Sequence, residues 1–192
     1  MIASAWLQTG MFAASLLVPA LVAQELPRVM IQTDLGSMEV EVDTIKTPDA
    51  AGDFLIYVDH GAYQGGRFHR TLRAERLPGG KAQIEGIEGG LNPSLSKGVP
   101  PMAMNGKKDT GLALGEKGLS LRRDGPDAAA PDFFIRMGEQ PELGRLESDG
   151  RGFTPFGRVV RGSEVVRMIQ TARANDGRLT PPVAIISIAR VK

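Results

Sequence analysis

The chain has 192 residues, 42% hydrophobic and 23% charged, which is enough apolar material for one soluble domain with a sizeable core. A net charge of +1 gives no global reason to expect nucleic acid or an anionic membrane as partner, and the lack of cysteine removes disulfides and thiolate chemistry. His60 and His69 are the only histidines, so a His-rich zinc site is excluded; no carboxylate cluster stands beside them at metal-ligand spacing, and no metal or cofactor is implied.

Residues 1–23 carry no charged side chain, and residues 11–23 form an apolar run ending in small residues before Gln24-Glu25. This is the pattern of a secretory signal, with cleavage expected after Ala23 and Ala20 as second choice. The segment has no Lys or Arg at its start, and Leu21 stands at the −3 position. An uncleaved anchor and a buried N-terminal segment therefore stay open as readings. Against an anchor, the run is short for a span of roughly 30 Å and Pro19 interrupts it, so no stable membrane span is expected. The chain divides into a signal over 1–23 and a domain over 24–192, with a periplasmic or secreted location. Cleavage would remove Trp6, the only tryptophan.

Residues 29–33 read as a strand by β-branched content, residues 34–37 as a turn, and Met38, Val40 and Val42 alternate with Glu39, Glu41 and Asp43. The second strand should therefore bury one face and expose an acidic one. A helix follows, with Thr47 as cap, Pro48 in its first turn, Ala51, Phe54, Leu55 and Val58 on one face, and Gly61 at its end. From Gly65 to about Val160 short apolar runs alternate with Gly, Pro, Asp and Lys. The clearer strands there are 119–121, 133–135 and 156–160, while 89–118 reads mostly as loop. Ser163 is expected to cap a second helix with Val165, Val166, Met168 and Ile169 on its apolar face, ending near 175–177. Pro181-Pro182 leads into a last strand over 183–191. Many strands with a helix after the first hairpin and another before the last strand predict an all-β barrel with helical caps, in a single domain without repeats.

Four short segments occur in a telling order: Gly65-Gly66-Arg67-Phe68-His69-Arg70, Ile87-Glu88-Gly89-Gly90, Asp132-Phe133-Phe134-Ile135 and Phe156-Gly157-Arg158-Val159-Val160. Together they resemble the cyclophilin family of peptidyl-prolyl cis/trans isomerases, over about residues 29–192. The resemblance implies a closed antiparallel eight-stranded β-barrel capped by two α-helices. It also implies an isomerase acting on X-Pro bonds of proline-containing polypeptide clients, without cofactor, and a monomer is expected.

Carried over residue by residue, the resemblance gives Arg70 the catalytic guanidinium role. Phe68 and His69 become its structural neighbours, with His69 an imidazole behind the sheet. Alone, Arg70 reads as a solvated arginine in a basic stretch with Arg67, Arg73, Arg76 and Lys81. Phe134 matches the aromatic floor of the proline pocket and Phe133 a core residue, since alternation sends one ring each way. Leu143 matches the aliphatic wall, and Phe153 the pocket edge where a His or Tyr is common. His60, near a helix end, reads as a surface residue.

Several pocket positions depart from the family. Residues 73–81 are extra and predict a hairpin extension beside the site. The usual Phe-Met-x-Gln ahead of the double glycine is here Glu85, Gly86, Ile87 and Glu88. Arg122 and Arg123 stand where Ala-Asn contacts the substrate backbone, Asp132 replaces a second Gln, and Glu142 stands where a Trp or Phe is usual. Glu88 beside Arg70 should form a charge-assisted pair that competes for the guanidinium, making activity weak. A milder consequence is an acidic groove that prefers basic residues near the client's proline. The main reading is an isomerase acting on exported proteins; the alternatives are a cyclophilin-fold peptide-binding module or chaperone with little catalysis, and an unrelated β-barrel protein.

Overall fold

The computed structural model describes residues 25–73, 85–92, 117–125, 128–138 and 152–191; for 122–125, 128–131, 152 and 153 the backbone alone is described. Among the described residues, nine strands and two helices follow in the order β1 (Arg28–Thr33), β2 (Gly36–Val42), α1 (Pro48–Asp59), β3 (Arg67–Leu72), β4 (Glu85–Gly90), β5 (Gly118–Gly125), β6 (Ala128–Met137), β7 (Gly152–Arg161), α2 (Ser163–Thr171), β8 (Ala174–Asn175) and β9 (Arg178–Arg190). Every pairing among them is antiparallel. The strand order is β1-β2-β7-β5-β6-β4-β3-β9, and β1 pairs with β9, so eight strands close into a barrel. The two-residue β8 hangs on β9. Closure leaves no open edge on the barrel itself, and it matches the expected eight-stranded architecture.

The barrel is filled by the inward members of each strand. Phe54 of α1 reaches in to meet Phe156 and Phe133, with ring centroids 4.8 and 5.9 Å away. Tyr63 and Phe68 pack edge-on against Phe133 at 5.4 and 5.6 Å. Such tilted and edge-to-face pairs add to plain area burial. The expected helical face of Ala51, Phe54, Leu55 and Val58 is buried, and Gly61 ends α1 in the left-handed region at φ +65°.

Several expectations need correction. Thr47 precedes α1 but does not cap it with its hydroxyl, which donates to the Asp43 carbonyl at 2.7 Å instead. Gly162, at φ +80°, is the residue before α2; Ser163 already lies inside the helix. Met168 points to solvent while Val165, Val166 and Ile169 are buried. Helix α2 stops at Thr171, and Asp176-Gly177, both at positive φ, make the two-residue turn between β8 and β9. Asp-Gly suits that turn because both central residues must adopt φ > 0. The last strand consequently begins at Arg178, ahead of Pro181-Pro182.

Strand β2 does not present an open acidic face. Arg28 lies opposite Glu41, Arg161 opposite Glu39, and Arg158 also opposite Glu41. Their guanidinium groups close over the carboxylates: Arg28 at 3.1 Å and Arg161 at 3.3 Å from Glu39, Arg158 at 2.7 Å from Glu41. Glu39 is left only 4% exposed. Opposite charges on neighbouring strands explain the correction, because the partners lie far away in sequence.

Candidate active site

Strands β3, β4, β6 and β5 stand side by side, and their register sets a single row across the outer wall. Arg70 faces Glu88, Glu88 faces Phe134, and Phe134 faces Ser120. Neighbouring strands are about 4.8 Å apart, so the Arg70 and Phe134 backbones are separated by about 10 Å. Ile87, Phe133, Ile135, Leu119 and Leu121 belong to the barrel core, and Phe134 lies outside that cluster. The alternation expected for the Phe133-Phe134 pair is present.

Arg70 reaches this wall through an irregularity. Phe68 pairs with Gly89 and Arg70 with Glu88, so β3 carries one more residue than β4 between the two pairs. Strict alternation would send Arg70 inward with Phe68. The bulge at His69 breaks the alternation. Phe68 remains fully buried, while the Arg70 side chain is 44% exposed. A second correction follows from alternation itself, which sends His69 outward from buried Phe68. His69 is not behind the sheet; its Nε2 lies 3.6 Å from Asp132 Oδ2, beside Glu88 on the outer wall.

The expected pairing of Arg70 with Glu88 is present. Arg70 Nη1 stands 3.8 Å from Glu88 Oε2, and the Glu88 side chain is only 5% exposed. At that distance the contact is an ion pair rather than a short hydrogen bond.

The glycines of this region make room for particular groups. A Cβ on Gly89 would stand 2.7 Å from the Phe68 ring, and a Cβ on Gly90 would collide with the Asp132 carboxylate. The double glycine thus admits Phe68 on one side of β4 and Asp132 on the other. Gly89 and Gly90 belong to β4, not to the loop expected from residue 89 onward. At Gly86 a Cβ would collide with Phe134 Cζ and with the Ile135 carbonyl oxygen. The Phe134 ring therefore lies down over Gly86, where the family resemblance would place an apolar side chain. It is 2% exposed, so the aromatic floor is folded against its own sheet rather than open to solvent.

Helix α2 fixes the strand that carries Arg70. Thr71 Oγ1 donates to the Gln170 carbonyl at 2.9 Å and Arg73 Nε donates to the same oxygen at 3.0 Å. Arg73 also donates to the Ala172 carbonyl through Nη2. These carbonyls close the C-terminal end of α2, where helix acceptors lack partners and a cation is favoured. Arg73, the first residue of the expected hairpin extension, thus has a structural partner; residues 74–84 lie outside the described residues.

Of the other site residues expected from sequence, Leu143 and Glu142 lie outside the described residues. Arg122 and Phe153 are placed by backbone register alone, opposite each other on β5 and β7. His60 is at the surface, its Nδ1 2.8 Å from the Ile56 carbonyl oxygen. Sequence reasoning named Gly86 and Asp132 as departures from the family's pocket pattern without giving them a role, and it did not single out Ser120. It also missed Arg136, a buried arginine opposite Gly86 whose pKa is lowered by burial. Among the described residues, the buried Ser120 hydroxyl has no hydrogen-bond partner. Register across β4, β5 and β6 joins these positions, and no local motif reports it.

Comparisons with known proteins bear on the family and the fold. Residues 28–190 match the family model for cyclophilin type peptidyl-prolyl cis-trans isomerase/CLD. The chain is 28% identical over 180 residues to peptidyl-prolyl cis-trans isomerase A of Dickeya dadantii, covering 91% of this chain and 90% of that protein. It is 30% identical over 166 residues to a peptidyl-prolyl cis-trans isomerase of Arabidopsis thaliana, covering 86% and 93%. Its fold is similar to the crystal structure of a cyclophilin type isomerase of Cryptosporidium parvum, with TM-score 0.66, 22% identity, and coverage of 87% of this chain and 98% of that one. A second structure of that protein, determined in the presence of the dipeptide Ala-Pro, matches with TM-score 0.64 at 22% identity and coverage of 86% and 99%. A match that runs from β1 to the end of β9, on a closed barrel with the Phe68-His69-Arg70 triplet at its bulged strand, shows that the chain belongs to the cyclophilin-type peptidyl-prolyl cis-trans isomerase family.

Proposed function

We propose that this chain accelerates cis/trans rotation of X-Pro bonds in exported polypeptides, with Arg70 as the catalytic side chain. The uncatalysed rotation is slow because the amide bond has partial double-bond character. The twisted transition state loses that resonance, and its prolyl nitrogen becomes a hydrogen-bond acceptor. A guanidinium aimed at the nitrogen binds the twisted state better than the planar one. No covalent step is needed.

The observation that carries this reading is the outward turn of Arg70, half-exposed, on the same cross-strand row as Phe134. In this reading Phe134 is the floor for the proline ring, Leu143 its wall and Phe153 its edge, with Arg122 toward the substrate backbone. Export rests on the apolar N-terminal segment, and among the described residues no helix is long and apolar enough to cross a membrane. The chain acts as a monomer on proline-containing clients, the ligand class represented by Ala-Pro in the Cryptosporidium structure.

The second reading is a peptide-binding module with little catalysis. It is favoured by the buried Phe134 ring and by the Glu88 carboxylate held beside Arg70. Exchange NMR on a tetrapeptide series with Ala or Lys before proline separates the two. The isomerase reading requires acceleration by the wild type and its collapse in Arg70→Ala, and a preference for Lys supports an acidic groove. Peptide binding without acceleration would establish the module instead.

A further inference from the structure

We propose that His69, Glu88 and Asp132 form a binding site for one divalent transition-metal ion, of which zinc fits best. The three residues come from three adjacent strands, β3, β4 and β6, so ordered backbone presents all three. One ligand atom from each lies within 4.8 Å of the others, and His69 Nε2 is 3.6 Å from Asp132 Oδ2. A tetrahedral ion with bonds near 2.0–2.2 Å holds its ligands roughly 3.4 Å apart. The imidazole–carboxylate pair is close to that spacing already. The widest pair must close by about 1.4 Å, which side-chain torsions supply without moving strands.

This cluster differs from a fringe of solvated acids. Glu88 is buried. The Asp132 carboxylate is seated in the space left by the missing Cβ of Gly90. His69 follows buried Phe68 and so turns to the same wall, beside the bulge in β3. The donor set also selects the ion. One imidazole nitrogen and two carboxylate oxygens, with no sulfur, disfavour Cu(I), and they are too few oxygens for calcium. Zinc accepts this mixture, and three protein ligands leave a fourth position for water or a polar group of a bound peptide.

Arg70 sets the strength of the site. Its guanidinium stands beside Glu88 and repels a second cation, so Arg70 and the ion compete for one carboxylate. By linkage, an ion that weakens the hold of Glu88 on Arg70 is itself weakened by Arg70. The ion site does not depend on Arg70 being catalytic.

The test uses the full chain purified without a histidine tag. Co²⁺ is titrated while visible absorption is followed, and Zn²⁺ is then titrated in competition with a chromophoric chelator. One ion per chain is expected. His69→Gln, Glu88→Gln and Asp132→Asn should each weaken it tenfold or more, His60→Gln should leave it unchanged, and Arg70→Gln should tighten it. Should a variant fail to fold, the wild type still decides: bound Co²⁺ must shift or broaden the His69 ring resonances and spare those of His60. No binding at millimolar ion, binding unchanged in the folded variants, or a signal that follows His60 would overturn the proposal.

Discussion

Replacing Glu88 by Gln isolates, among the charges that depart from the family pattern, the one that stands 3.8 Å from Arg70. Two unit charges 3.8 Å apart attract by about 4 kcal/mol at an effective dielectric near 20. Arg70 is 44% exposed, and water screens such a pair; about 1–2 kcal/mol of net restraint on the guanidinium is a reasonable residue. Releasing it should raise kcat/KM about 5- to 30-fold, provided that Arg70 acts on the prolyl nitrogen. The fold should tolerate the change. Glu88 is the buried partner, so the substitution removes a buried carboxylate and leaves a cation already in contact with water. The assay is cis/trans exchange on an Ala-Pro tetrapeptide, run with a metal chelator so that the ion site plays no part. An unchanged or lower rate in folded Glu88→Gln would refute the competition argument.

Three other outcomes follow from the same structure. Gly86→Ala should lower stability by about 1–3 kcal/mol, because the new methyl meets the Ile135 carbonyl as well as the Phe134 ring; a Tm drop of roughly 2–12 °C is expected. Thr71→Val should cost about 1 kcal/mol in chemical denaturation, since it removes one of the two donors to the Gln170 carbonyl. Asp59 accepts two hydrogen bonds from Arg190, both 2.7 Å, and these hold its carboxyl below the ordinary value of 3.8. A depressed carboxyl stabilises the fold above its unfolded pKa and loses that effect as pH falls through the folded value. Asp59→Asn should therefore cost no more than about 1 kcal/mol of stability at pH 7 for so exposed a pair, read as a slightly lower Tm, and the difference should shrink as pH falls below the ordinary carboxyl value.

The barrel was legible because strand alternation and the family segments are local. Met38, Val40 and Val42, the Phe133-Phe134 pair and the first helix's apolar face lie inward or outward as their spacing requires. Arg70 and Glu88 were legible as a pair through the family register. What sequence did not disclose depends on the third dimension. The arginines over Glu39 and Glu41 come from other strands. His69 was misplaced because the resemblance put it behind the sheet, although alternation from buried Phe68 sends it outward; the one-residue bulge that turns Arg70 to the same side leaves no mark in composition. The approach of His69, Glu88 and Asp132 arises only when β3, β4 and β6 are set side by side. The Phe134 ring over Gly86 is similarly a consequence of register, although a glycine at a pocket position hints at it.

The central claim is that Arg70 accelerates rotation and Glu88 restrains it, and a double-mutant cycle measures both. Exchange rates for the wild type, Arg70→Ala, Glu88→Gln and the double variant, all verified as folded, complete the cycle. The account predicts that Arg70→Ala abolishes acceleration and that Glu88→Gln gains nothing without Arg70. Acceleration that survives in Arg70→Ala, or an equal gain from Glu88→Gln in both backgrounds, would contradict it.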